Sequence, residues 1–208
     1  AWGDNSWSQL GDGVYTRDTV TSVSNCGVAP LNNAENYEYS PIQVRGVDGV
    51  GYLKNIIDIA AGDGFAVALD AEGHVYTWGY NGDGRLGIGT NAWKKETWHS
   101  GYNNSHIFDY WTWYNHYAAY PVQVLGGMQG EEYLSNIVAI SAGTDHVLAL
   151  DGAGNVWAWG SNNLSQIGSY RSGTARPVVA NGYGGNSYGY NIYSTPTRVE
   201  KSGLVNNN

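Results

Sequence analysis

Leu53–Gly89 reads LKNIIDIAAGDGFAVALDAEGHVYTWGYNGDGRLGIG, and Leu134–Gly168 reads LSNIVAISAGTDHVLALDGAGNVWAWGSNNLSQIG. Most apolar, glycine and turn positions coincide, so the chain is built from a repeated unit, and this takes precedence over any inference from its 208-residue length. Ala1–Gly13, AWGDNSWSQLGDG, matches only the last third of the unit. The sequence opens in the middle of a repeat.

Two landmarks measure the period. Trp-Gly occurs at Trp2-Gly3, Trp78-Gly79 and Trp159-Gly160, at spacings of 76 (2 to 78) and 81 (78 to 159). Pro41, Pro121 and Pro196 head the segments PIQV, PVQV and PTRV, at spacings of 80 (41 to 121) and 75 (121 to 196). The chain therefore divides into one array: 1–40, a partial repeat plus insertion; 41–120 and 121–195, each a repeat plus insertion; and 196–208, the start of a further repeat with a tail.

Short runs bounded by glycine predict strands within each unit. Pro41–Val44 is expected as an edge or first strand, where proline removes no needed ladder donor. Ile56–Ala60, Phe65–Leu69 and His74–Trp78 follow, the last two joined by the link Asp70-Ala71-Glu72-Gly73. The second unit repeats this as Pro121–Val124, Ile137–Ser141, His146–Leu150 and Asn155–Trp159. Four short antiparallel strands joined by tight turns make one propeller blade. Runs such as Ile-Val-Ala-Ile and Val-Leu-Ala-Leu are apolar at every residue, as in sheets covered on both faces. The expected fold is all-β, with β-propeller blades of four antiparallel strands and long inserted loops. About two and a half blades are encoded, and a closed propeller needs roughly four to eight, so the ring is incomplete.

The motif AG-x-x-H-x-x-AL, a turn, then G-x-V-x-x-WG-x-N-x-x-x-Q-x-G is carried by Ala142-Gly143, His146, Ala149-Leu150, Gly154, Val156, Trp159-Gly160, Asn162, Gln166 and Gly168. The other unit supplies Ala61-Gly62, Ala68-Leu69, Gly73, Val75, Trp78-Gly79, Asn81, Leu86 and Gly87, with Phe65 in place of the histidine and Arg85 in place of the glutamine. The opening supplies Trp2-Gly3, Asn5, Gln9-Leu10 and Gly11-Asp12-Gly13. In these residues, over about half its length, the chain resembles the regulator of chromosome condensation repeat family. The resemblance implies a β-propeller with blades of four strands. It implies no single activity, since members serve as nucleotide-exchange factors, chromatin binders, ubiquitin-ligase modules and secreted inhibitors.

Composition narrows the partners. The formal net charge is −8, with only ten Lys and Arg, so no clustered positive surface for duplex nucleic acid or anionic membranes is expected. No run reaches the apolar length of a transmembrane helix, and no basic-then-apolar signal segment is present. Cys26 is the only cysteine, which excludes an internal disulfide and a cysteine metal cluster and leaves a buried thiol or a link between two chains. The absence of an initial Met reads as a processed or partial chain, and the low-lysine, Tyr/Trp/Asn/Gly-rich composition reads as extracellular, secreted or cell-surface. Asn103-Asn104-Ser105 and Asn163-Leu164-Ser165 are formal glycosylation sequons.

Catalytic, cofactor and metal sites are not expected. His99, His106 and His116, with Glu96 and Asp109, fit no zinc spacing. Asn81-Gly82-Asp83-Gly84 and Asp4-Asn5 lack the alternation and terminal Glu of a calcium loop and read as turns. Glu131-Glu132 would point to opposite faces of a strand, unlike the paired carboxylates of a glycosidase.

The excess lies in the insertions between each Trp-Gly and the next landmark proline, which are longer than the roughly 15 residues usual for unstructured loops. Trp93, Trp98, Trp111 and Trp113, with Tyr102, Tyr110 and Tyr114, crowd the second insertion, and Tyr183, Tyr188 and Tyr190 the third. These rings are the candidate contact surface, because Tyr and Trp combine large rigid area with a polar atom. Packing of the rings on one another to plug the propeller surface is an equal reading, compatible with the first. The expected role is a non-enzymatic structural or adhesive protein that self-assembles, into an extracellular filament for example, through open blade edges and aromatic loops. Its partners would be other copies of itself or a surface protein. A carbohydrate-binding module using the Trp93–Trp113 cluster is the alternative, with a glycan as partner, and a secreted inhibitor of an enzyme is the third.

Overall fold

The hairpins written into the repeats form where the turn residues place them. A computed structural model describes residues 1–13, 37–89, 94–97, 112–115, 117–168 and 192–199. In chain order its strands are β1 Gly3–Asp4, β2 Tyr37–Glu38, β3 Ile56–Ala61, β4 Phe65–Asp70, β5 Val75–Tyr80, β6 Lys94–Thr97, β7 Thr112–Asn115, β8 Tyr117–Gln123, β9 Ile137–Ala142, β10 His146–Asp151, β11 Val156–Ser161 and β12 Ile192–Arg198. Two antiparallel four-stranded sheets, β3-β4-β5-β8 and β9-β10-β11-β12, are the blades. β1 pairs with β2, and β6 with β7.

The blades are out of phase with the expected units. Pro121 lies on β8, which pairs with β5 (Tyr76 opposite Gln123, Thr77 opposite Val122) and so completes the sheet of the preceding unit. β12, which carries Pro196, completes the second sheet in the same way. Pro41–Val44 is not a strand; Ile42 exchanges backbone hydrogen bonds of 2.8 Å with Ala1, the outer pair of a half-blade. Each insertion therefore sits inside a blade, between its third and outermost strands. The prolines do occupy the edge, where a missing donor is tolerated.

Each tight hairpin is organised by the aspartate that ends its second strand. The Asp151 carboxylate accepts from the backbone N–H of Ala153 (2.9 Å) and Asn155 (2.8 Å), from Asn155 Nδ2 (2.9 Å) and from Trp157 Nε1 (3.0 Å). Asp70 accepts from the N–H of Glu72 and His74 and from the Tyr76 hydroxyl. Burial alone would raise the Asp151 pKa, but the hydrogen bonds from Asn155, Trp157 and Ala153 outweigh it and hold the carboxyl at about 2, against an ordinary 3.8. For Tyr76, burial and the Asp70 charge push the hydroxyl up to about 12.

The Asp151 shift sets an acid limit. Because the folded Asp151 value lies below the ordinary one, the unfolded chain takes up this proton first as pH falls. Its stabilisation is complete above about pH 4 and is lost as pH falls through about 2. The urea midpoint should therefore drop between about pH 4 and 2, and Asp151→Asn should flatten that drop while lowering the midpoint at pH 7. A pH profile identical in the variant would refute the assignment.

The core lies between the two blades. Phe65, Val67, Leu69 and Val75 of the first blade and Ile137, Val147, Ala149, Trp157 and Trp159 of the second form one buried cluster with Leu86, Val122, Val124 and Leu134. Polar bonds cross the same seam. Asp63 N–H donates to the Thr144 carbonyl (2.9 Å), Ile137 N–H to Gly73 (3.1 Å) and Ile140 N–H to the Asp58 carboxylate (3.3 Å).

Candidate functional site

The Trp-Gly landmarks are the joints between successive units. Trp78 Nε1 donates to the Gln9 carbonyl at 2.8 Å, and Trp159 Nε1 to the Arg85 carbonyl at 3.0 Å, satisfying an indole N–H that burial would otherwise leave unpaired. The receiving loop is built identically each time. Asn5, Asn81 and Asn162 accept through Oδ1 from the N–H of Leu10 (3.0 Å), Leu86 (3.1 Å) and Ile167 (2.9 Å). This is the reason an asparagine follows two residues after each Trp-Gly tryptophan's glycine neighbour Gly3, Gly79 and Gly160.

Glycine follows the tryptophan for a geometric reason. The ladder slips at Trp78 and again at Trp159, a β-bulge, and the next residue takes φ +94° at Gly79 and +105° at Gly160. A Cβ on Gly160 would stand 2.5 Å from the Asp145 carbonyl oxygen, and one on Gly79 would overlap the Gly64 carbonyl. Gly62 and Gly143 are required because the rings of Phe65 and His146 lie against them. His146 is thus a packing residue at the place of Phe65, with Nδ1 3.5 Å from the Asp145 carboxylate.

Two contributors to the joint carry no repeated signal. Trp7, grouped by sequence with the first insertion, lies against Tyr80 with ring centroids 4.4 Å apart and next to Gly64. Its counterparts Asp83 and Leu164 share no chemistry with it. Arg85 replaces the glutamine by donating to the Asp63 carbonyl (2.8 Å) and the Asp83 carboxylate (2.6 Å), and by lying over the Tyr80 ring at 4.8 Å.

The outer faces of the array expose what the joints bury. Trp2 is 68% exposed, whereas Trp78 and Trp159 are buried. Ile59 is 74% exposed, while its counterpart Ile140 packs on the core. At the opposite end Leu150 is 37% exposed, while its counterpart Leu69 is fully buried. Leu164, at the place of Trp7, is also exposed.

Of the aromatic surface expected from sequence, only two residues fall among those described. Trp113 and Tyr114 fall on β7, opposite Glu96 and Lys95 of β6. Trp93, Trp98, Tyr102, Tyr110, Trp111, Tyr183, Tyr188 and Tyr190 lie outside the described residues, as do Cys26, His99, His106 and His116.

Comparison with known proteins matches this architecture. Two models of the regulator of chromosome condensation (RCC1) repeat match the chain, one at residues 56–85 and 137–166 and the other at 72–150, together more than half of it. Protein pim1 of Schizosaccharomyces pombe is 30% identical over 154 residues, 74% of this chain and 23% of that protein. The E3 ubiquitin-protein ligase HERC2 of Mus musculus is 30% identical over 112 residues, 54% of this chain and 2% of that protein. The chain thus spans a small part of these relatives. Among solved structures, Prp20p of Saccharomyces cerevisiae, described with its binding to Gsp1p and histones, superposes with a TM-score of 0.54 at 17% identity, covering 97% of this chain and 34% of Prp20p. Human WBSCR16 gives a TM-score of 0.51 at 18% identity, over 97% of this chain and 34% of its own. With its Trp-Gly joints, asparagine-held loops and four-stranded blades, the chain belongs to the regulator of chromosome condensation (RCC1) repeat family of β-propellers.

Proposed function

We propose that this chain is a non-enzymatic structural protein that acts by protein–protein contact and assembles with copies of itself through its open blade faces, in an extracellular setting. One observation carries the reading: positions covered between the two blades, Leu69 fully and Ile140 in part, have exposed counterparts on the outer faces in Leu150 and Ile59. Apolar surface of this kind, framed by polar loops, is a template for association. The low-lysine, Tyr/Trp/Asn/Gly-rich composition supports an extracellular setting.

Light scattering of the purified chain tests it. A mass above 22.5 kDa that rises with concentration is expected. A cooperatively folded species that stays at 22.5 kDa at all concentrations overturns the proposal.

A further inference from the structure

We propose that the connectors leading from one blade to the next carry a binding surface for a neutral polysaccharide chain, with Tyr52 and Tyr133 as its two stacking stations. The site is separate from the self-assembly contact above and does not depend on it. Tyr52 and Tyr133 stand 81 residues apart (52 to 133), the interval that separates Trp78 from Trp159, so they hold the same place in two blades. Both lie outside the Trp-Gly motif and outside the loops that receive its indoles.

Each ring stands on a short backbone neck that fixes it. In the first connector Leu53 N–H donates to the Val44 carbonyl (3.1 Å), Arg45 and Tyr52 pair as a β-bridge, and Gly46 N–H donates to the Gly51 carbonyl (3.1 Å). In the second, Leu134 N–H donates to the Val124 carbonyl (2.9 Å), Leu125 pairs with Tyr133, and Gly126 N–H donates to the Glu132 carbonyl (3.1 Å). The Arg45 guanidinium lies over the Tyr52 ring, 5.3 Å from its centre, and steadies it. Three residues beyond each ring, Asn55 and Asn136 share φ +58° and are exposed, so an amide follows each tyrosine in the same backbone setting. The Asn55 amide meets the exposed Glu72 carboxylate at 3.4 Å.

The openness of these places comes from neither end of the chain. The first blade has its following neighbour in place, and the second has its preceding one. A place covered by only one of those neighbours differs between the blades, as Leu69 and Leu150 do. Tyr52 and Tyr133 are instead 44% and 39% exposed, and Ile57 and Val138, at the start of the inner strands that follow, are 62% and 54% exposed. A ring pre-set by its backbone and followed by an amide suits a pyranose, whose C–H face lies on the ring while its hydroxyls take the polar groups. The exposed charges of the connectors are mixed, Arg45 and Lys54 against Asp48, Glu131 and Glu132, so a polyanion finds no cationic track. Equivalent stations one blade apart favour a ligand that itself repeats, because a chain held at one station is presented to the next.

Native electrophoresis in gels containing galactomannan, xyloglucan, laminarin or heparin tests the site, with a plain gel correcting for assembly. At least one of the three neutral polysaccharides should retard the parent chain, and heparin should not. Tyr52→Ser and Tyr133→Ser should each weaken the apparent affinity about tenfold or more, because losing one station also removes the linked second contact, and the double variant should run as in the plain gel. Tyr52→Trp combined with Tyr133→Trp keeps a ring at each station and should still be retarded. Absence of retardation in all three neutral gels, retardation by heparin alone, or undiminished retardation of the double serine variant overturns the proposal. Should that variant lose its strand circular dichroism, the single variants decide, and equal retardation of both with the parent overturns it. Tyrosine-dependent retention on phenyl-agarose without retardation in any polysaccharide gel would assign this face to an apolar protein partner and overturn the glycan. A monomeric parent chain that is retarded overturns self-assembly alone and leaves this site standing.

Discussion

Trp159→Ala should destabilise the fold by about 3–5 kcal/mol, the range for emptying a buried tryptophan site. The indole is fully buried between two blades, and its removal leaves both a cavity and the Arg85 carbonyl without its 3.0 Å donor. Trp2 occupies the same place in its own unit but is 68% exposed, so Trp2→Ala should change the stability of the dissociated chain by no more than about 0.5 kcal/mol. Urea denaturation in dilute solution, followed by circular dichroism, measures both. Equal losses in the two variants would show that the tryptophan stabilises its own sheet and not the joint between units.

Gly160→Ala should be nearly as damaging, with a loss of about 3 kcal/mol or more, because two penalties combine. The residue takes φ +105°, where an L side chain is strained, and the added carbon would press on the Asp145 carbonyl at 2.5 Å. Gly3→Ala isolates the first penalty. Its φ is +99°, yet nothing lies within 4 Å of the added carbon, so a loss of about 1–2 kcal/mol is expected. If the two alanine variants lose the same stability, close approach of the neighbouring strand is not the reason for the glycine.

Local features were legible in the sequence because they depend on neighbours in the chain. The hairpin turns after Asp70 and Asp151, the edge position of Pro121 and Pro196, and the apolar strands between them follow from turn chemistry and patterning alone. The joint was legible only as a repeated motif: Trp-Gly recurs, but nothing in the letters says that its indole reaches a carbonyl 74 residues earlier, as Trp159 does to Arg85. Trp7 was not legible at all, since the residues in its place in the other units, Asp83 and Leu164, have unrelated side chains.

By itself the sequence determined that this protein is made of repeated short-stranded sheets with tight turns after Asp70 and Asp151, because those turns arise from contacts a few residues apart, and it marked the asparagine and Trp-Gly positions as a recurring motif without showing what they do. Only the tertiary structure decided which strand closes which sheet, since β5 pairs with β8 across an inserted segment and backbone pairing at that distance leaves no periodicity to read. It also decided which of several equivalent side chains are covered. Trp2 and Trp159 are the same residue in the same motif, and what distinguishes them is whether a neighbouring loop stands against the ring.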